Sequence, residues 1–296
     1  MKLFLVLVLF EFLEMKKNNL KKYWKVFLIE SLLFLLVISL GVVGTIKRLK
    51  ILSSLEIDLD YISISGFLIQ FSIITLFLFL FSRFVKKENH KGALFKLLFI
   101  LAIFSGGVFI FNLWLSDIIS LVLIGLLILL WSKKRNVFIH NLCVMLGIAG
   151  TISITGLSIK PITVVFLLVL FSIYDFIAVY KTKHMVKMAK SMIQSGAILG
   201  FIIPHQFSFF NKKIDSIDKD WAFVLGGGDI AFPLLLVCSL IPSSISDALI
   251  VALFSLFGLF LSFYIFINQK KKKPIPALPP IALLSVIGYL IVKFLI

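Results

Sequence analysis

Runs of about 20 apolar residues alternate with short charged or Pro/Gly-rich breaks along most of the chain, the length a helix needs to cross about 30 Å of hydrocarbon. Cutting at the breaks predicts nine transmembrane helices, at Trp24–Ile46, Tyr61–Val85, Ala93–Leu115, Asp117–Trp131, Val137–Leu157, Pro161–Tyr180, Asp220–Ile241, Ser244–Ile267 and Ile275–Ile296. The fourth has about 15 residues and reaches only about 22 Å, so it thins the bilayer locally or leans on its neighbours. The opening run Leu3–Leu13 is shorter still and holds Glu11, so it is read as a surface segment and not as a tenth span.

One connection is long, Lys181–Lys219 between the sixth and seventh spans. Its Met185, Met188, Met192, Ile193 and Ile198 alternate with Lys187 and Lys190 at near-helical spacing, which predicts an amphipathic helix on the membrane surface, ended by Pro204. Gly196 and Gly200 form a small-xxx-small pair of little specificity.

Composition and charge sharpen this picture. With 60% hydrophobic residues, 15% charged and a mean hydropathy of +1.12, the chain is an all-α polytopic membrane protein and not a soluble domain. A net charge of +16 would point to nucleic acid in a soluble protein, but here the basic residues fall between apolar runs. Counted by loop, 23 Lys and Arg lie on the side of the N-terminus and 5 on the other, which places the N-terminus in the cytoplasm and the C-terminus outside. The expected location is therefore multi-pass in the membrane (the cell membrane in a prokaryote), with anionic headgroups and not nucleic acid as partners. Cys143 and Cys238 both sit in apolar runs and can build neither a disulfide framework nor a cysteine metal site.

Ionisable residues inside a span are costly, so each is a candidate site. Glu30, Asp117 and Asp247 lie within about two turns of a predicted span end and read as headgroup-reaching or capping acids. Asp175 and Asp229 differ. Asp175 precedes Tyr180 by five residues in a span that runs inward, and Asp229 lies about nine residues into the next span, which runs outward. These offsets put the two carboxylates about 8 Å and 13 Å from the cytoplasmic boundary on consecutive antiparallel helices, where they can meet. Two close carboxylates cannot easily both ionise; one stays protonated, and the pair can serve as acid and base in amide hydrolysis.

The surroundings of the pair carry three motifs. Asp229 closes Gly226-Gly227-Gly228-Asp229, glycines that let another backbone approach the carboxylate. Asp175 follows Tyr174, whose ring and hydroxyl can bracket the site. Pro276-Ala277-Leu278-Pro279-Pro280 interrupts regular helix at membrane depth, which is tolerated only where backbone is buried in protein or lines a cavity. Tyr174-Asp175 in the sixth span, the Gly-x-Gly-Asp run in the seventh and Pro276-Ala277-Leu278 opening the ninth together resemble the three signatures of the presenilin and signal peptide peptidase family of intramembrane aspartyl proteases.

The resemblance implies that Asp175 and Asp229 are the catalytic pair, that Tyr174, Gly226, Gly227, Gly228, Pro276, Ala277 and Leu278 shape the substrate site, and that no metal or other cofactor is needed. The implied function is an endopeptidase that cuts within transmembrane segments of membrane proteins or remnant signal peptides. It divides the chain into an N-terminal surface segment (1–23), a transmembrane scaffold of the first five spans (24–157) and a catalytic part with the last four (158–296). The expected orientation is similar to presenilin and opposite to signal peptide peptidase. The connection of about 39 residues is far shorter than the maturation loop of eukaryotic presenilins, and the compact chain looks more like the small archaeal homologues, which implies action without accessory subunits. Gly227 stands where Leu is common in presenilins.

Two other readings use the same acids. A prepilin-type peptidase also has a Gly-x-Gly-Asp run, but the nine-span layout and the Pro-Ala-Leu segment speak against it. A proton-coupled transporter would use Asp175 and Asp229 as a relay, although no inverted repeat is evident. Zinc proteolysis lacks a His-Glu-x-x-His, and His90, His140, His184 and His205 are scattered residues that read as loop or interface histidines.

Overall fold

The computed structural model of the chain describes residues 17–70, 72–73, 76, 88–182, 184–214, 221–269 and 273–294. The Leu3–Leu13 run, much of the span expected at Tyr61–Val85, Asp220 and residues 295–296 lie outside them. The described elements are α1 (Lys17–Ser54), α2 (Glu88–Phe111), α3 (Asp117–Lys134), α4 (Val137–Thr155), α5 (Pro161–Tyr180), α6 (His184–Ser195), β1 (Gly200–Pro204), β2 (Ala222–Gly226), α7 (Gly227–Leu240), α8 (Ile245–Ile267) and α9 (Leu278–Phe294). Among the described residues, five helical stretches are long and apolar enough to cross a membrane: Tyr23–Ser54, Ala93–Phe111, Val137–Ser158, Pro161–Tyr180 and Ile245–Ile267. Gly227–Leu240 and Leu278–Phe294 are apolar but shorter.

Helix boundaries follow local chemistry. Asn136 caps α4 by accepting the Ile139 N–H at 3.0 Å, Ser244 caps α8 through the Asp247 N–H at 3.2 Å, and Pro161 starts α5, where its missing N–H costs nothing. Asp117 and Asp247 sit in the first turns of α3 and α8, where the helix dipole favours an acid, while the N-cap positions themselves are Ser116 and Ser244. The amphipathic helix expected in the long connection is α6, but it stops at Ser195 because Gly196 turns left-handed (φ 66°). Ile198 and Pro204 therefore lie beyond it, and Pro204 closes a strand instead of ending a helix.

α7 is the hub. It packs against α1, α4, α5, α8 and α9, and every residue from Pro233 to Leu240 is buried. A helix that is apolar on all sides belongs in such a centre. In lipid the apolar effect does not hold helices together, so close packing does. A Cβ added at Gly41 would stand 2.7 Å from Leu234 of α7, and one at Gly258 of α8 would stand 2.6 Å from the Ile281 backbone of α9. Between α2 and α4 the backbones touch through Gly106, Gly147 and Gly150. Ser255 and Ser285 add a buried Oγ–Oγ hydrogen bond of 2.8 Å between α8 and α9. Peripheral α3 buries only Ser120, Ile124 and Trp131 and turns the rest of its apolar surface outward, as a lipid-facing helix does.

The region ahead of Asp229 corrects the expected seventh span. Ala222–Gly226 is not helix but strand, paired antiparallel with β1 so that Ile202 faces Val224 and Gly200 faces Gly226. Asp229 then lies in the first turn of α7 and not deep inside a helix. Consecutive glycines hold helix poorly, and helix begins only within the run, at Gly227 with Gly226 as its N-cap. Main-chain bonds tie the connection down: Val137 N–H to Lys212 O at 3.1 Å and Ile214 N–H to Arg135 O at 2.8 Å.

Candidate active site

Asp175 lies one turn from the end of α5, on the face that meets α7 and α9, and is 5% exposed. Its carboxylate faces the Leu278 backbone N–H. That donor is available because Leu278 opens α9, and a first-turn N–H has no partner within its own helix. Pro279 and Pro280 follow, placing two residues without N–H in the turn where none is needed. The Pro276–Leu278 segment thus acts through geometry: Pro276 and Ala277 run without regular structure, Pro276 and Leu278 are buried, and the positive end of α9 faces the acid. The second oxygen of Asp175, Oδ2, is buried and has no hydrogen-bond partner among the described residues.

Asp229 is the third residue of α7, with Gly226 as the N-cap in extended conformation (φ −61°, ψ 141°). The Asp229 carboxylate reaches back toward the Gly226 N–H, as the acid of a capping box does. The carboxylate folds so closely over the cap that a Cβ on Gly226 would be 2.9 Å from Oδ2. The Gly227 N–H bonds Leu199 O at 3.0 Å, and a Cβ there would meet that oxygen at 3.0 Å and Ile148 Cδ1 at 3.3 Å. Gly228 differs, since the nearest atom to an added Cβ is a Phe232 ring carbon at 3.8 Å. Pro233, four residues on, lacks the N–H that would bond the Asp229 carbonyl.

Asp175 and Asp229 are brought within coulombic reach of each other, each facing a helix N-terminus and one backbone N–H. Oriented backbone donors of this kind fix a carboxylate without a side-chain partner. Beside the glycine run, a cavity of about 190 Å³ is lined by Ile103, Cys143, Gly147, Thr151, Gly227 and Gly228, among others. Tyr174 is not brought onto the pair. One residue around the helix from Asp175, it is 53% exposed, so the expected bracketing by its ring is absent from this arrangement. Among the described residues no group of three His, Cys, Asp or Glu could hold a metal ion.

Sequence reasoning underweighted three residues. Glu30 of α1 was read as an acid near a span end, yet it is 6% exposed and within coulombic reach of Asp229, a third carboxylate beside the pair. Its signal was an acid inside a span. His140 and Asn141 were polar residues in a predicted span; both are buried and bond β1. His140 is an interface histidine, stacked on Phe99 at 4.9 Å and 5°.

Comparison with known proteins places this geometry. No curated protein matches the chain. Two solved structures of a presenilin family intramembrane aspartate protease, in the C222 and P2 space groups, align with TM-scores of 0.61 and 0.59. Each is 21% identical and covers 90% of this chain, which covers 97% and 96% of theirs; the fold is shared. The family model described as signal-peptide peptidase, presenilin aspartyl protease matches residues 63–296, and the chain belongs to that family of intramembrane aspartyl proteases.

Proposed function

We propose that Asp175 and Asp229 are the catalytic pair of this intramembrane aspartyl protease and share one proton between them. The observation that carries the assignment is the meeting of two span carboxylates from α5 and α7 at the N-termini of α7 and α9. The ionised partner takes a proton from a water whose oxygen bonds the scissile carbonyl carbon. The protonated partner hydrogen-bonds the carbonyl oxygen, and the C–N bond breaks as the amine nitrogen receives a proton. Helix dipoles and backbone donors around the acids supply preorganised electrostatics.

A peptide bond inside a substrate helix is shielded, so the helix must unwind before it reacts, and extended backbone then needs partners. The exposed edge of β2, ending at the glycine run, is the place where such a strand can add. Gly226, Gly227, Gly228 and Pro276–Leu278 shape the floor of that site, and the adjoining apolar cavity takes a substrate side chain. Substrates are transmembrane segments of membrane proteins. The nine-span layout, with the N-terminus cytoplasmic and the C-terminus outside, is supported by the 23-to-5 distribution of basic residues. On this layout residues 24–157 form the scaffold, residues 158–296 carry the chemistry, and the chain works without accessory subunits among anionic lipids.

The test is cleavage of a single-span reporter by purified protein in lipid, with the product termini mapped by mass spectrometry. The expected result is cutting in the cytoplasmic half of the reporter's span. Uptake of a solute or protons without proteolysis would overturn the protease assignment.

A further inference from the structure

The two edges of the β1–β2 sheet are treated differently by the fold. In the observed register Ile202 faces Val224 and Gly200 faces Gly226. Ile202 gives both main-chain groups to one side chain of α4: Asn141 Nδ2 donates to Ile202 O at 2.7 Å, and the Ile202 N–H donates to Asn141 Oδ1 at 2.9 Å. Two residues earlier along the strand, His140 Nε2 lies 3.1 Å from Gly200 O. Trp131 Nε1–H points at His140 Nδ1 at 3.4 Å, which makes Nδ1 the acceptor and leaves the ring proton on Nε2, the donor to Gly200. His140 is 0% exposed and Asn141 3%. A helix thus supplies two side chains that imitate a third strand and close the β1 edge.

The same bonds fix which groups of β2 are free. In an antiparallel ladder, facing residues either exchange both hydrogen bonds or point both sets of groups outward. Because Ile202 and Gly200 point away from the ladder, so do Val224 and Gly226. The Gly226 N–H faces the Asp229 carboxylate, while Val224 is 39% exposed. A strand adding to the sheet meets Val224 at a fixed distance along the chain from the catalytic Asp229.

We propose that His140 and Asn141 are positioning residues for cleavage: by closing β1 they confine substrate to β2 and set the register in which its backbone meets the acid pair. This rests on the strand-addition reading above. Neither residue touches the reacting atoms. Released from Asn141, the hairpin offers two edges and a movable frame, and substrate slips in steps of two residues, the strand repeat.

The experiment compares wild type, Asn141→Leu and Val224→Pro on one single-span reporter in lipid, reading kcat, KM and product termini. Val224→Pro removes an outward N–H without touching the ladder. Expected for Asn141→Leu is a fall in kcat of about ten- to a hundredfold, the scale of a misplaced reacting group, with KM little changed and new termini offset by two residues. For Val224→Pro, cleavage is largely lost. If Val224→Pro is impaired but Asn141→Leu keeps the wild-type termini and kcat, the positioning role is overturned and strand addition stands. If Val224→Pro cleaves like wild type, strand addition is overturned, and the positioning role with it. Should Asn141→Leu not fold, His140→Phe decides by the same readout, because it keeps the ring stacked on Phe99 while losing the bonds to Gly200 and Trp131.

Discussion

Replacing Gly226 by alanine separates the placement of Asp229 from the stability of the fold. The new Cβ would stand 2.9 Å from Asp229 Oδ2 and 3.6 Å from its Cγ, so the carboxylate must swing away. The backbone itself accepts alanine, since φ −61° and ψ 141° lie in an ordinary extended region. Any loss of cap quality is offset by the smaller unfolded-state entropy of alanine, and stability should move by less than about 1 kcal/mol. The carboxylate turns away from the Gly226 N–H and shifts by about 1 Å. On that scale kcat should fall about tenfold to a hundredfold with KM little affected. Gly228→Ala is the matched comparison: its nearest contact is 3.8 Å and Asp229 keeps its place, so any loss of kcat should be smaller than that of Gly226→Ala and any effect should appear chiefly in KM. The assay is reporter cleavage in lipid beside thermal unfolding of each variant. Equal activities for Gly226→Ala and Gly228→Ala, or a loss in Gly226→Ala that tracks unfolding, would refute the reasoning.

Other substitutions probe neighbouring parts of the account. Gly227→Leu pushes against Leu199 O and Ile148 and fills the cavity beside the glycine run, so it should destabilise by about 1–3 kcal/mol and change which bonds are cut; thermal melting and product mapping read both. Gly150→Ala drives a methyl into the α2 backbone at Gly106 and should lower the melting temperature more than any other single alanine on α4. Asn136→Ala removes the cap of α4 and should cost about 1 kcal/mol with the cleavage register unchanged, in contrast to Asn141→Leu.

Much of the site was legible because its constraints are one-dimensional. Asp175 and Asp229 stood out as acids inside apolar spans, and opposite chain directions brought them to a common level whatever the details of packing. The break expected at Pro276–Pro280 is irregular backbone only at buried Pro276 and half-buried Ala277, since helix starts at Leu278; that start, which turns the Leu278 N–H toward Asp175, depends on a contact between helices about a hundred residues apart. The strand at Ala222–Gly226 was hidden. An apolar run with no alternation reads equally as buried helix or buried strand, and its ladder partner lies across a connection whose pattern favours helix only in its first half. Asn141 was hidden for the same reason, since its meaning comes from the strand it closes. Tyr174 stands half-exposed because adjacency in sequence places a side chain about 100° around a helix, away from its neighbour's face.

In the proposed mechanism one proton shared by two carboxylates performs the cleavage. Asp175→Asn and Asp229→Asn keep the size of each side chain while removing its ability to exchange that proton. Reporter cleavage in lipid, measured for both variants beside wild type and with their melting temperatures, tests the claim most directly. Each substitution alone should remove cleavage while the fold persists; substantial activity in either folded variant would contradict the shared-proton pair.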